Sequence, residues 1–170
     1  MHWLIMSVVL LSALMAPQAL LSQESTPDEQ GVSVCTFADG KELTVRYNRA
    51  TYDPKKELPA GKVWLPGNSP MSVFTDTTLR VGNAELPIGA YNMFLIPGKD
   101  AWTLIVNRNV TAGAAYDQKD DIVRVQMPTG KLPQPEKALS IYLGHVAPQR
   151  CEMRVDFGKV RADGMEFDEK

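Results

Sequence analysis

The chain has 170 residues, 18 basic and 20 acidic side chains, and a formal net charge of −2 at pH 7. Charges of both signs are interspersed, which excludes the basic footprint of a nucleic-acid-binding protein and the run of like charges of a polybasic membrane contact. The length is that of one ordinary domain, which folds around its hydrophobic core without a structural metal.

The amino terminus is apolar up to Ser22 and polar from Gln23 onward. An uncharged apolar stretch followed by small residues predicts a secretory signal peptide over residues 1–22, with cleavage near Ser22. An uncleaved membrane anchor is the alternative, but Pro17 and Gln18 interrupt the apolar run, and a membrane span needs about 20 apolar residues. We therefore expect an exported protein, periplasmic or secreted, with no membrane attachment after cleavage.

The rest of the chain has the pattern of an all-β protein. Residues 23–30 are polar and predict a flexible leader, and residues 31–170 predict a single domain. Short runs alternate apolar and polar residues between turn residues, and no helical period is sustained apart from a single turn within residues 112–121. Strands are predicted at residues 32–37, 43–47, 62–64, 71–75, 79–81, 91–96, 102–107, 123–127, 139–143 and 151–157. The pattern indicates an antiparallel β-sandwich or a flattened barrel of about 8–10 short strands.

The run over residues 91–96 is apolar on both faces, which is typical of a strand in the centre of a sheet. Residues 102–107 alternate again, so the two runs predict an antiparallel hairpin whose turn, residues 97–100, uses the φ values of Pro97 and Gly98. The glycine and lysine of this turn suggest a phosphate cradle, but phosphate loops open a helix and none is predicted here. Farther along, residues 128–135 are rich in Pro and Gly and predict a break between strands.

The two cysteines, Cys35 and Cys151, lie near opposite ends of the predicted domain. An exported protein meets an oxidising compartment, so we predict one disulfide between them. A buried pair of free thiols and a catalytic cysteine are the alternatives. Catalysis is the least favoured, because His145 is the only histidine after the predicted signal peptide and only Arg150 near Cys151 would favour a thiolate.

The sequence carries no complete catalytic or metal-binding motif. A serine nucleophile would need an elbow such as Gly-x-Ser-x-Gly and a histidine partner, and zinc would need three or four nitrogen or sulfur ligands. Asp117, Asp120 and Asp121 crowd one loop, but the spacing and the glycine of an EF-hand are missing. We therefore expect no metal and no cofactor, and we expect His145 to be structural or exposed.

Aromatic side chains are the best remaining signal for function. Trp64 stands beside a Pro/Gly-rich loop, where an exposed ring could stack on a sugar, with Asn68 and Tyr116 as polar neighbours. The alternative is that Trp64 and Trp102 are core residues under loops. The candidate ligand surface is built from loop residues Trp64, Asn68, Tyr116, Asp117 and Asp121.

Several short segments of the sequence, taken in chain order, resemble a known bacterial family, the domain of unknown function 2911. They lie at residues 61–64, 86–91, 96–103, 116–117 and 121–125, and the resemblance covers about residues 32–157. It implies an exported bacterial protein with an all-β, sandwich-like domain, and it implies no established activity, cofactor or catalytic residue. Residues 65–70 depart from the polar segment that many relatives have at this place, and Asn68 keeps the polar character.

These observations favour a non-catalytic binding or envelope-associated module whose partner is a carbohydrate or another small ligand. One alternative is a small hydrolase that uses loop carboxylates together with Lys62, Lys99 or His145. The candidate acids for it are Asp76, Glu85, Asp100, Asp117 and Asp121. A second alternative is a structural module that binds no ligand.

Overall fold

The computed structural model describes residues 30–170, which are built mainly from β-strands. The predicted signal peptide and all but the last residue of the predicted leader lie outside the described residues. The strands are β1 (Gln30–Thr36), β2 (Glu42–Asn48), β3 (Met71–Thr75), β4 (Leu79–Val81), β5 (Ala84–Leu86), β6 (Gly89–Ile96), β7 (Ala101–Asn107), β8 (Asp121–Ala147) and β9 (Arg150–Glu169). Two one-turn 3₁₀ helices, Pro66–Asn68 and Gln118–Asp120, complete the elements, and the second lies within the turn predicted at residues 112–121. The predicted all-β fold is confirmed, and no helix in the described range is long and apolar enough to cross a membrane.

The nine strands form one antiparallel sheet that folds over into two layers. Their order is β1-β2-β3-β6-β7-β8-β9-β4-β5. β8 links the layers, because residues 121–128 pair with β7 and residues 129–147 pair with β9. We call β1, β2, β3, β6, β7 and the start of β8 the front sheet, and the remainder of β8 with β9, β4 and β5 the back sheet.

Apolar side chains from both sheets meet between the layers. In β2 the alternation turns Leu43 and Val45 inward, and in β9 it turns Met153 and Val155 inward, where all four are fully buried. Burying an aliphatic side chain of this size contributes about 1.5–3 kcal/mol. The shared core therefore holds the two sheets face to face.

A disulfide and two side-chain hydrogen bonds fasten the front sheet to the back sheet. Cys35 of β1 and Cys151 of β9 are joined, with their Cα atoms 6.2 Å apart, which supports the predicted disulfide. The backbone N–H of Ile141 in β8 donates to the Tyr47 hydroxyl at 3.1 Å. The N–H of Leu143 donates to Ser33 Oγ at 2.9 Å. The two hydrogen bonds satisfy backbone donors along the edge of β8. The disulfide is typical of proteins folded outside the reducing cytoplasm.

Several predicted strand bounds differ from the structure. The strand predicted at residues 62–64 is absent, since Trp64 forms only an isolated bridge with Leu95. The break expected at residues 128–135 is found only in part, because β8 stays extended there but residues 132–135 have no paired partner in β9, where the register shifts. β9 runs on to Glu169, well beyond the predicted end at Phe157. Gly158 has a φ of +57° and interrupts the alternation, which is why the pattern ended the strand too early.

The hairpin between β6 and β7 turns at residues 97–100, as predicted. The expected reason for Gly98 is corrected, because its φ lies outside the left-handed region. A Cβ atom at Gly98 would instead collide with the carbonyl oxygen of Ala101. A close backbone approach, rather than an unusual φ, therefore requires the glycine.

Candidate functional site

The outward side of the front sheet carries an unusual set of side chains. Because side chains alternate along a strand, the residues next to the buried Leu43, Val45 and Val73 point away from the core. The strand register places them in two rows across β1, β2, β3 and β6. We call this surface the open face; its rows are Val32, Arg46, Ser72 and Asn92, and Val34, Thr44, Phe74 and Ala90.

The open face exposes apolar side chains. Val32 is 58% exposed, Val34 is 44% exposed and Phe74 is 38% exposed. The guanidinium carbon of Arg46 lies 5.2 Å from the centre of the Phe74 ring, a cation–π contact that holds the arginine over the sheet. Exposed apolar side chains that share a surface are typical of a binding site.

A cleft of about 450 Å³ lies at the β6 end of the open face. We call it the front cleft; its walls are Leu65, Asn68, Ser69, Pro70, Ser72, Asn92, Val110, Thr111, Ala112, Gly113 and Ala114. Amide and hydroxyl groups supply the polar atoms, and none of these lining residues is ionisable. A cleft of this volume has the size of a small-molecule site.

One wall of the front cleft is a strained turn. Gly67 has a φ of +64° and Asn68 has a φ of +60°, and Asn68 is the only non-glycine residue with a positive φ in the described part of the chain. Asn48 holds the turn by donating from Nδ2 to the Gly67 carbonyl oxygen at 3.3 Å. A Cβ at position 67 would lie 2.6 Å from the Asn48 Cβ, so only glycine fits there. Such left-handed residues are more common at functional sites, and here the strain presents Asn68 to the cleft.

The opposite wall, residues 110–114, belongs to a loop that lies over the outward side of β6 and β7. Asn92 Nδ2 donates to the Asn109 carbonyl oxygen at 2.8 Å. The N–H of Asn109 donates to Asn107 Oδ1 at 2.9 Å. The loop covers Phe94, which is only 4% exposed although it points away from the main core. The wall is therefore fixed to the sheet by buried amides.

A second set of hydrogen bonds braces the base of this loop around Asp121. Asn107 Nδ2 donates to Asp121 Oδ1 at 2.8 Å, and the Tyr116 hydroxyl donates to Asp121 Oδ2 at 2.7 Å. Arg124 donates from Nε to Asp121 at 2.8 Å and from Nη2 to the Tyr116 oxygen at 2.6 Å. Burial raises the pKa of the Tyr116 hydroxyl, and its hydrogen bond to the Asp121 carboxylate raises it further, so the phenol remains a donor at neutral pH.

The structure divides the five predicted ligand residues into three groups. Asn68 lines the front cleft. Tyr116, Asp117 and Asp121 do not line it, since Tyr116 packs on Phe94 with ring centres 5.0 Å apart and Asp117 caps the helix Gln118–Asp120 by accepting from the Lys119 N–H. These three residues support the loop that forms the wall.

Trp64 lies apart from the front cleft. Its ring is half-buried between Trp102, 5.9 Å away in an edge-to-face arrangement, and Phe157, 4.9 Å away. It lines a separate cavity of about 200 Å³ together with Leu58 and Pro59. These contacts favour a core role for much of the Trp64 ring.

The residues proposed for catalysis do not meet in the front cleft. His145 is exposed and pairs with Cys151 across β8 and β9. Within residues 30–170, no cluster of three or more His, Cys, Asp or Glu side chains could hold a metal ion. None of the five candidate acids of the hydrolase alternative lines the front cleft.

Sequence reasoning missed Arg46, Ser72, Phe74 and Asn92. The signal was present for Phe74, because an aromatic residue at the polar phase of the alternating strand over residues 71–75 is unusual. The positions of Ser72 and Asn92 beside the loop at residues 110–114 depend on the order of non-consecutive strands, which alternation does not reveal.

Comparison with known proteins gives a family and no closer relative. No curated protein matches the chain, and no solved structure matches it. A family model described as a protein of unknown function, DUF2911, matches residues 29–164. That match spans most of the chain and agrees with the resemblance in the sequence. The chain is therefore a member of the DUF2911 family.

Proposed function

We propose that this protein is a non-catalytic binding module that acts outside the cytoplasm and holds a carbohydrate in the front cleft. The observation that carries the proposal is the composition of the cleft, which combines hydroxyl and amide groups with small apolar walls and has no ionisable lining residue. Neutral donors and acceptors of this kind match the hydroxyl groups of a sugar.

Three polar side chains are placed for such a ligand. Asn68 stands on the strained turn, and Ser72 and Asn92 face each other across β3 and β6 on the cleft floor. Asn92 uses Nδ2 for its bond to Asn109, and Oδ1 takes no part in that bond. The amide therefore serves both to hold the wall and to offer an acceptor to the ligand.

The same composition argues for binding rather than hydrolysis. Glycoside hydrolysis needs two carboxyl groups on either side of the scissile bond. The walls of the front cleft supply none, and the carboxylate of Asp121 is already engaged by Asn107, Tyr116 and Arg124. Export is supported by the disulfide between Cys35 and Cys151 together with the predicted signal peptide.

The test is a thermal-shift screen of the disulfide-bonded chain from residue 23 against neutral and acidic oligosaccharides, with peptides and lipids as comparison classes. A ligand present at about 100 times its Kd should stabilise the fold by about 2.7 kcal/mol. We expect at least one oligosaccharide to raise the melting temperature. If no sugar shifts it, or if only peptides or lipids do, the proposed function is wrong.

Two cleft variants show whether the response comes from the front cleft. Asn68→Gly keeps the positive φ and removes the amide, and Ser72→Phe fills the floor. Both should weaken sugar binding by about tenfold or more, the equivalent of about 1.4 kcal/mol, with little change in stability. Asn83→Gly, in the turn between β4 and β5, removes an amide elsewhere and is the matched control. If Asn68→Gly and Asn83→Gly bind the sugar with the same affinity, the binding site lies outside the front cleft.

A further inference from the structure

We infer that the ligand is an oligosaccharide that carries an anionic group, held by Arg46 beside the front cleft. This inference rests on the proposed function and adds the charge of the ligand. Ser72 lines the cleft, and Arg46 is its direct partner across β2 and β3. The Cβ atoms of such partners are about 5 Å apart, so a ligand in the cleft reaches the arginine with its neighbouring unit.

Arg46 differs from the arginines that stabilise the fold. Arg124 and Arg150 are each tied to a carboxylate within 2.8 Å. Among the described residues, no carboxylate forms an ion pair with the exposed Arg46. Glu42, on the same side of β2, is four positions away, about 13 Å along the strand, and it accepts a hydrogen bond from Thr36.

Phe74 fixes the position of this charge without neutralising it. The guanidinium lies over the aromatic ring, which restricts the arginine side chain and leaves its N–H groups available. A guanidinium recognises a carboxylate or a sulfate group through two parallel hydrogen bonds. The neutral cleft and the positive charge of Arg46 beside it therefore fit an acidic sugar chain, with Arg46 as the binding residue and Phe74 as a positioning residue.

The experiment measures Kd for three pairs of oligosaccharides that differ in charge: trigalacturonate and its methyl ester, a sulfated and an unsulfated galactose oligomer, and sialyllactose and lactose. We expect the acidic member of at least one pair to bind about tenfold more tightly than the neutral member at low salt. The preference should shrink as the salt concentration rises, because the site is exposed.

Substitutions of Arg46 test whether this residue causes the preference for the acidic oligosaccharide. Arg46→Gln should bring the Kd of the acidic member to about that of the neutral member, and Arg46→Lys should restore part of the preference. Lys131→Gln, which removes an exposed positive charge on the back-sheet part of β8, should change neither value. The thermal unfolding of Arg46→Gln should match that of the unmodified protein, which separates lost binding from lost folding.

The outcomes separate this inference from the proposed function. If neutral oligosaccharides bind in the front cleft but every acidic member binds no better than its partner, the inference is wrong and the proposed function stands. A preference that survives in Arg46→Gln also contradicts the inference. If no sugar of either kind binds, both are wrong.

Discussion

The outward sides of the two sheets are built on the same strand alternation, yet their arginines have different partners. On the back sheet, charged side chains pair with one another: Arg80 and Arg150 both bind Asp168, at 2.7 and 2.5 Å, and Arg161 binds Asp156 at 3.0 Å. On the open face of the front sheet, valines and an aromatic ring are exposed, and Arg46 forms no ion pair with a carboxylate of residues 30–170. The first surface pairs its arginines with its own carboxylates, and the second leaves Arg46 without such a pair among the described residues.

This contrast separates the arginines whose ion pairs stabilise the fold from Arg46, for which we propose a role in binding. Asp156 is only 1% exposed and is shared by Arg154 and Arg161, so its ion pairs belong to the fold. Arg154 also lies over the Tyr142 ring at 4.2 Å, a cation–π contact like the one between Arg46 and Phe74. The presence of the carboxylate is therefore the feature that distinguishes the two arginine–aromatic pairs.

The largest expected effect concerns the bond that joins the two sheets. Replacing Cys35 and Cys151 together by alanine should lower the free energy of unfolding by about 2–5 kcal/mol, because the disulfide closes a long loop in the unfolded chain. Denaturant unfolding measures the loss. Sugar binding below the unfolding transition should remain, since neither cysteine is part of the open face. Lost binding in the still folded variant would mean that the front sheet needs the back sheet for its shape.

A smaller effect is expected from the buried carboxylate of the back sheet. Asp156→Asn keeps the volume but leaves Arg154 and Arg161 without their shared anion, and we expect a loss of about 2 kcal/mol in the free energy of unfolding. Sugar affinity should not change. Glu152→Gln, four residues before Asp156 on the same side of β9, is the control and should change stability by less than about 0.5 kcal/mol. Reduced sugar binding by Asp156→Asn would contradict the separation of the two surfaces.

The sequence predicts which side of each strand faces outward, but it does not predict which strands lie next to each other. Alternation predicts which side of each strand is buried, and it predicts the hairpin turn at residues 97–100 correctly. It also predicts Glu152, Arg154 and Asp156 on the solvent side of β9, but Asp156 is 1% exposed because Arg154 and Arg161 pair with it there. It does not predict which strands become neighbours. Ser72 and Asn92 are neighbours only because β4 and β5 belong to the back sheet, so that β3 pairs with β6. The front cleft therefore depends on topology that local pattern does not encode.

The predicted ligand residues show the same limit. Asn68 was predicted from its polar character within a Pro/Gly-rich loop, and it does line the front cleft. Tyr116 and Asp121 have the side chains expected of a binding site, but here those groups bond to one another and to Arg124. A polar loop that braces itself and a polar loop that binds a ligand look alike until their hydrogen-bond partners are known.

The smallest effect on stability is a pH dependence of the back sheet. The hydrogen bond from Arg150, helped by Arg80, lowers the pKa of Asp168 below its ordinary value of 3.8. A carboxyl group whose pKa is lower in the folded state stabilises the fold above its unfolded pKa, and this contribution is lost as the pH falls through the folded pKa. Asp168→Asn should therefore be less stable at about pH 7 by no more than about 1 kcal/mol, because solvent screens the pairs.

Denaturant unfolding of Asp168→Asn and the unmodified protein between about pH 7 and pH 2 measures this difference. The difference in the free energy of unfolding between the two proteins should begin to decrease near the ordinary pKa of the Asp168 carboxyl group, and it should disappear at the acidic end. Arg150→Gln should remove most of the gap at neutral pH, because it deletes the main partner of Asp168. A gap that stays constant over the whole range would show that Asp168 acts through packing rather than charge.

The most direct test of the central claim, that the front sheet carries the binding surface, is a titration followed by backbone amide chemical shifts. Isotope-labelled protein would be titrated with the oligosaccharide that gives the largest thermal shift. We expect the largest changes at Ser72, Asn92 and Thr111, with Tyr142 and Arg154 of the back sheet unaffected. Changes centred on Tyr142 and Arg154, with the front cleft silent, would contradict the account.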